Sequence, residues 1–228
     1  MNRILLTLAA ASLALGSCGA TPKENEPIPP AAAEAPATKT LPAPQTEGGM
    51  PLNEAIAARR SVRAYAARKL TDAEAGQLLW AGQGITSADG KRAAPSAMHT
   101  YPLTLYYLDA EATWRYEPKP HALAKAAAGD HRPALAAAAP QEQVKQAPAL
   151  IVIVADLGAT TAKFGAPQAE RFAALEAGHA AQNIALEATA LGLGTVTMAG
   201  FDAAAVKTAL ALTGSQEPLY LLPVGAKP

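Results

Sequence analysis

Three guanidiniums and a hydroxyl stand within five residues in Arg59-Arg60-Ser61-Val62-Arg63. Planar guanidinium forks pair bidentately with phosphate oxygens, so this run is a candidate phosphate site. A basic helix C-terminus that complements the helix dipole would use the same residues, and spacing alone leaves both readings open. A second segment, Ala94-Pro95-Ser96-Ala97-Met98-His99, is a loop of small residues beside a proline, ahead of Tyr101-Pro102. Small side chains let a flat ring approach backbone N–H and C=O groups closely, although a plain connecting loop has the same composition. In a third segment Gly192-Leu193-Gly194-Thr195 leads into Met198-Ala199-Gly200-Phe201-Asp202. It reads as a helix end, then a tight turn that opens a new helix with Asp202 as N-cap, and a helix start presents free N–H groups.

Other chemistries find little support. Glu176 and His179 have an ExxH spacing, which carboxylate-bridged metal proteins use twice together with further glutamates; here it occurs once. On a helical projection His179 falls with Phe172, Leu175 and Leu186, which reads as a hydrogen-bonded core histidine. His121 and His131 lie in alanine-rich stretches without ligand spacing, so no metal ligand is assigned. The chain has no Gly-x-Ser-x-Gly elbow and no Gly-x-Gly-x-x-Gly fingerprint opening a strand–helix unit. Its one cysteine, Cys18, excludes an internal disulfide, a four-cysteine zinc site and a cluster held by a single chain. Nineteen basic residues balance nineteen acidic ones, and zero net charge leaves no basic excess to attract nucleic acid.

The elements that must position these segments follow from hydrophobic period and capping. A helix is expected from 52 to about 59. Thr71-Asp72-Ala73-Glu74 is a capping box that opens a second helix through Leu78-Leu79-Trp80. Residues 103–108 and 113–116 read as strands joined at Asp109-Ala110-Glu111. Alanine-rich helical stretches are expected from 121 to 146, and 149–155 has the aliphatic run of a strand buried on both faces. A long helix from about 168 to 191 closes at Gly192, strands are expected at 195–198 and 219–224, and a helix at 202–210 separates them. Helices and strands mix without regular alternation, which indicates α+β.

The 228 residues, 50% of them hydrophobic and 17% charged, suit a globular domain with further segments before it. Residues 1–18 combine Arg3, an apolar run from Ile4 to Leu15 and a final Leu15-Gly16-Ser17-Cys18, the pattern of a signal peptide too short to remain as a membrane span. The ending resembles the bacterial lipobox, which implies cleavage before Cys18 and its acylation; an ordinary secretory signal with an incidental cysteine is the alternative. Residues 19–49 hold seven prolines and no aromatic residue, the composition of a disordered Pro/Ala-rich tether. The folded domain is expected over 50–228, and the mature protein as an exported lipoprotein on the periplasmic side or the cell surface.

The three chemical segments occur in order with Leu78-Leu79-Trp80-Ala81-Gly82-Gln83-Gly84, Glu176-Ala177-Gly178-His179-Ala180-Ala181-Gln182-Asn183, Ala190-Leu191-Gly192-Leu193-Gly194 and Pro218-Leu219-Tyr220-Leu221-Leu222-Pro223-Val224-Gly225. Together they resemble the nitroreductase superfamily of FMN enzymes, and within it the SagB-type dehydrogenase branch. The resemblance implies a three-layer α+β domain with a mixed, mainly antiparallel sheet flanked by helices, and a homodimer with FMN in the subunit interface. It implies that Arg59, Arg60, Ser61 and Arg63 hold the phosphate, ribityl chain and pyrimidine edge, with Lys227 adding charge at the phosphate. Pro95, Ser96, Ala97 and Met98 would come from the other subunit against the flavin face, and the N–H groups of Ala199 and Gly200 would address N5.

Two positions depart from the branch. Met98 and His99 replace glycine and a small residue, so His99 is the side chain that could face a small-molecule substrate. Ala199 stands where many relatives have glutamate. Asp156-Leu157-Gly158-Ala159-Thr160 also resembles, distantly, a site of covalent flavin attachment at threonine. The implied activity is oxidoreduction at flavin N5, with catalytic side chains, substrate and electron donor left open. The alternative is a non-catalytic lipid-anchored protein that binds a flavin or another ligand on the same fold.

Overall fold

The computed structural model describes residues 37–228; the expected signal peptide, Cys18 and most of the expected tether lie outside the described residues. In chain order the elements are β1 (Thr38–Thr40), α1 (Leu52–Ala58), α2 (Asp72–Gln83), a 3-10 turn (Ala97–His99), β2 (Leu103–Leu108), β3 (Ala112–Glu117), β4 (Ala122–Ala128), α3 (Arg132–Ala138), α4 (Glu142–Gln146), β5 (Ala149–Asp156), α5 (Leu157–Phe164), α6 (Ala166–Ala190), β6 (Leu193–Thr195), α7 (Ala203–Ala209) and β7 (Gln216–Ala226). The strands form one seven-stranded sheet in the order β1-β4-β3-β2-β5-β7-β6. Every pairing between these strands is antiparallel, and the parallel contact in the expected mixed sheet is confined to a bridge between Ser61 and Thr195.

β5 is central because its sequence, ALIVIVAD, has no polar residue before its last position and so requires cover on both faces. One face meets α2 and α6 through Leu79, Leu105, Ile151, Ile153 and Ile184; the other meets α3, α4 and α7 through Leu135, Leu150, Val152, Val154 and Val206. Three layers result. The buried stripe of α6 is almost entirely alanine, at 169, 173, 177, 180, 181, 185 and 188, which brings the helix axis close to the sheet. The capping box at Thr71 and Glu74 forms as expected and fixes the start of α2.

Three local expectations are corrected. Residues 122–128 form a strand, β4, rather than helix: Glu117-Pro118-Lys119-Pro120 turns the chain back, and pairing with β3 overrides the helical preference of alanine. Of the expected tether, 37–49 belongs to the fold. β1 pairs with the outer edge of β4, Leu41 is buried, and Gln45 and Gln77 exchange two hydrogen bonds at 2.8 and 3.0 Å. His121 bridges Tyr116 Oη and the Pro42 carbonyl, each at 2.9 Å. Composition counts side-chain hydrophobicity, whereas this segment is held mainly through its backbone by an otherwise unpaired sheet edge. Finally, the expected strand over 195–198 shifts to Leu193–Thr195, and beyond it Met198 bridges Leu221 singly.

The end of the sheet is shaped by Gly194 and Gly225, which face each other across β6 and β7. A Cβ on Gly194 would lie 2.4 Å from Val62 Cγ1, and one on Gly225 would lie 2.7 Å from Pro148 and 3.0 Å from Tyr65 Cβ. Both glycines make room for the segment that follows α1. Gly194→Ala is therefore expected to lower stability by about 1–3 kcal/mol through overpacking, and Val62→Ala to relieve most of that loss. Urea denaturation of the two single variants and the double variant measures the coupling.

Candidate functional site

α1 ends at Arg59, whose N–H still bonds Ala55 O, and the chain then leaves the helix extended. Val62 N–H donates to Thr195 O at 3.0 Å, and Ala66 N–H to Ala226 O at 2.9 Å, so 61–66 lies along the ends of β6 and β7. The Tyr65 hydroxyl is 2.8 Å from Val62 O and 3.2 Å from Pro223 O. Burial holds this phenol above its ordinary range, so it stays a neutral donor. Thr195 Oγ1 donates to the same Pro223 carbonyl at 2.8 Å. This lattice carries Arg59, Arg60, Ser61 and Arg63 to the sheet edge where β7 delivers Lys227.

The two readings of the basic run divide by residue. Arg60 Nη1 donates to Ala57 O and Arg59 O, both at 2.8 Å, which is the helix-terminus role. Arg59, Arg63 and Lys227 pair with no carboxylate among the described residues. Close cations without a counter-charge repel one another, an arrangement that an anionic group relieves. Further along the same edge, Met198 and Leu221 exchange backbone hydrogen bonds at 3.0 and 2.9 Å, and Gln141 Nε2 holds Gly200 O at 3.2 Å. Asp202 caps α7 as expected, accepting from Ala205 N. Ala199 and Gly200 are exposed between these anchors, and their N–H groups donate to no carbonyl of the described residues.

The segment with Pro95, Ser96, Ala97, Met98 and His99 lies elsewhere. It runs into β2, whose first residue, Leu103, pairs with Ala155 near the end of β5, whereas Ala149 at the start of β5 pairs with Val224 beside the cationic edge. The six steps of β5 from Ala149 to Ala155, at about 3.3 Å each, set these two pairings roughly 20 Å apart along the strand. The loop is strained: Met98, His99 and Tyr101 all have positive φ, at 50°, 55° and 44°. Each such residue costs on the order of 1 kcal/mol or more, and strain of this kind persists only where neighbours enforce it. Here Ser96 Oγ accepts from Tyr101 N at 2.8 Å, Thr100 Oγ1 donates to Ala97 O at 3.0 Å, and Lys163 from α5 donates to Met98 O at 3.3 Å. The Arg92 guanidinium stacks 4.7 Å above the Tyr101 ring. Met98 itself is 69% exposed, and His99 is exposed and stacked on Tyr101.

His179 is exposed, not a core histidine: Leu175, one turn away on the same face of α6, is 53% exposed, so the projection that grouped them marks an outer stripe. Glu176 is the buried member of that pair, at 3% exposure, and burial pushes its carboxyl up to about 7. The residue was legible in outline, because it falls in register with Ala169, Ala173 and Ala180 on the alanine stripe. Thr160 of the flavin-attachment resemblance is 1% exposed, in an α5 whose N-cap Asp156 bonds Gly158 N and Ser215 Oγ, so its hydroxyl does not face solvent. Arg92, Lys163 and Tyr65 carried no signal in the sequence, since each acts through a partner far along the chain.

The nitroreductase family model matches residues 56–226, from within α1 to the end of β7. The chain belongs to the nitroreductase family. A protein of Methanocaldococcus jannaschii described as a nitroreductase is 35% identical over 183 residues, 77% of this chain and 91% of that one. A crystal structure from Ralstonia eutropha JMP134, also described as a nitroreductase, superposes with a TM-score of 0.77 at 28% identity, covering 85% of this chain and 94% of the other. The NADPH:FMN oxidoreductase of Vibrio harveyi shares the fold, with a TM-score of 0.58 at 23% identity over 77% of this chain and 68% of that one.

FMN is the cofactor of the nitroreductase family, and this chain's residues fit it. Arg59, Arg63 and Lys227, without a carboxylate partner among the described residues, are groups that a phosphate can pair with, and the exposed N–H groups of Ala199 and Gly200 can donate to a ligand. The division of the basic run yields a contrast. Arg59→Ala and Arg63→Ala should each weaken FMN binding by about 10–100-fold, as loss of a charge-assisted bond does. Arg60→Ala should leave FMN affinity within about threefold and fray α1 instead. Fluorescence titration of FMN together with thermal denaturation separates the two effects.

Proposed function

We propose that the chain is an exported, lipid-anchored FMN oxidoreductase of SagB-dehydrogenase type. In this reading it works as a homodimer in which each flavin site takes its cationic half from one subunit and its 95–98 loop from the other. The observation that carries this reading is the different anchoring of those halves: 61–66 bonds Thr195 and Ala226 at the ends of β6 and β7, whereas the loop leads into β2, whose Leu103 pairs with Ala155 toward the other end of β5. Exposed Leu175 and Met98 lie on the α6 face and on the loop, apolar surface suited to cover by a second copy.

Bound FMN supplies hydride transfer at its N5. The protein contributes position and charge. Arg59, Arg63 and Lys227 hold the phosphate, Ser61 reaches the ribityl chain, and the Ala199 and Gly200 N–H groups orient the N5 edge. Pro95, Ser96 and Ala97 leave room for the ring, and Met98 and His99 narrow the space where a small organic substrate stacks. The larger side chains at 98 and 99 separate this site's substrate from that of the SagB branch. Outside a cell membrane NAD(P)H is not an expected donor, so oxidation of the substrate, with electrons passed on to another acceptor, fits the compartment.

Shared sites are tested by subunit mixing. Homodimers of Arg59→Ala/Arg63→Ala and homodimers of Ala97→Trp should both lose FMN, whereas co-expressed mixed dimers should recover one FMN per dimer. A mixed dimer that binds none overturns the shared site. The anchor is tested separately in a bacterial host: labelled palmitate should enter the native chain and not Cys18→Ala, which should be released in soluble form.

A further inference from the structure

Gln83, at the end of α2, has no part in the reading above. It is 1% exposed, yet its Nε2 is buried without a hydrogen-bond partner among the described residues. Its Oε1 accepts from Arg92 Nη1 at 2.7 Å, and a guanidinium only donates, so that bond fixes which end of the amide is left over. A buried N–H donor with nothing to donate to is destabilising, and a ligand that accepts from it removes the penalty.

Gln83 lines a cavity of about 150 Å³ at a place where the sheet opens. β2 begins at Leu103 and β3 runs to Glu117, but the ladder between them stops at Tyr106 opposite Arg115. Leu103 and Thr104 on one side and Glu117 and Pro118 on the other therefore border an opening, while β3 stays paired with β4 as far as Glu117. Half-buried Arg92 lines the same space, stacked 4.7 Å above the Tyr101 ring. It forms no ion pair among the described residues, and Glu176 acts on it only through space. Nη1 is taken by Gln83 Oε1 and, at 3.3 Å, by Leu103 O, which leaves Nε and Nη2 without an acceptor among the described residues. Those two N–H groups make one planar edge, a fork that pairs bidentately with a carboxylate. The one acid that borders the cavity, Glu117, pairs with Arg115 at 2.9 Å on the half-exposed rim, so the charge left over inside is positive.

We propose that this opening is a binding site for a small monocarboxylate, whose oxygens accept from the Arg92 fork and Gln83 Nε2 while its short carbon chain lies against Leu103 and Leu105. At roughly 30 Å³ for each water-sized group, the cavity takes about five non-hydrogen atoms, so an aromatic acid or a nucleotide exceeds it. The uncompensated cation selects an anion over a neutral amide of the same size, and the planar fork selects a carboxylate. The receptor is ordered before the ligand arrives. Tyr101 holds the guanidinium plane, and the bonds to Gln83 and Leu103 fix its rotation, so little side-chain entropy is lost on binding. The site needs neither flavin nor a second subunit. It is built where Leu103 enters the sheet opposite Ala155, not on the cationic edge beside Val224.

The experiment is calorimetric titration of the full chain with propionate and with propionamide, its neutral counterpart of equal size, while the glutamine side-chain amide signals are followed by NMR. Propionate should bind with a Kd of about 1 mM or below, which a ligand of about five non-hydrogen atoms can supply. Propionamide should bind at least about tenfold more weakly. Propionate should also shift the Gln83 Nε2 signal, which is recognised by its loss in Gln83→Glu. That variant sets a carboxylate beside Arg92 and should abolish propionate binding. Arg92→Lys keeps the charge, loses the fork and should weaken binding by about tenfold, and it carries the test if Gln83→Glu fails to fold. Absence of propionate binding, equal affinity for propionamide, an unmoved Gln83 signal or undiminished affinity in Arg92→Lys each overturns the proposal.

Discussion

The contact on which the rest of this structure depends is the seating of 61–66 against the ends of β6 and β7. Two facing glycines, Gly194 and Gly225, remove the side chains that would hold it off: a Cβ on Gly194 would lie 2.4 Å from Val62 Cγ1, and one on Gly225 would crowd Tyr65 Cβ at 3.0 Å. Val62 and Ala66 then bond the sheet edge, and Tyr65 closes over the Pro223 carbonyl. A run of arginines on a free loop would sample many orientations and lose entropy on meeting an anion. Locked onto a sheet, its backbone is already fixed, and only side-chain rotamers remain to be ordered.

A second constraint follows from the first. A central strand as apolar as β5 must be covered on both faces, so the chain's polar business is pushed to the two ends of the sheet. The cationic segment occupies one end, and the loop before β2 occupies the other. Each end is rigid for its own reason: glycine clearance and backbone pairing at one, a clamp of Ser96, Thr100, Lys163 and Arg92 around strained residues at the other. In the proposed function a second copy of the chain brings these two segments to one flavin.

The corrections share one physical origin. β4 is alanine-rich and would be helical by propensity, and 37–49 is proline-rich and would be solvated by composition, yet both are held by hydrogen bonding along the same side of the sheet. Backbone pairing is blind to side-chain composition. His179 and Glu176 show the converse case, because the helical period was right and only the identity of the buried face was not.

Sequence alone determined the elements with strong local signals. The capping box at Thr71, the aliphatic run of β5, the long alanine helix ended at Gly192 and the N-cap at Asp202 all follow from residues within a few positions of one another. So does the ordered set of motifs that marks the nitroreductase fold. Only the tertiary structure decided which arginines are committed to the helix end and which stand without a carboxylate. It also set the 61–66 segment against β6 and β7, led the 95–99 loop toward the other end of β5, and buried Glu176. These properties depend on burial and on partners tens of residues away, such as Arg92 on Gln83 or Tyr65 on Pro223, and local pattern carries no information about which distant group will supply the counter-charge or the hydrogen bond.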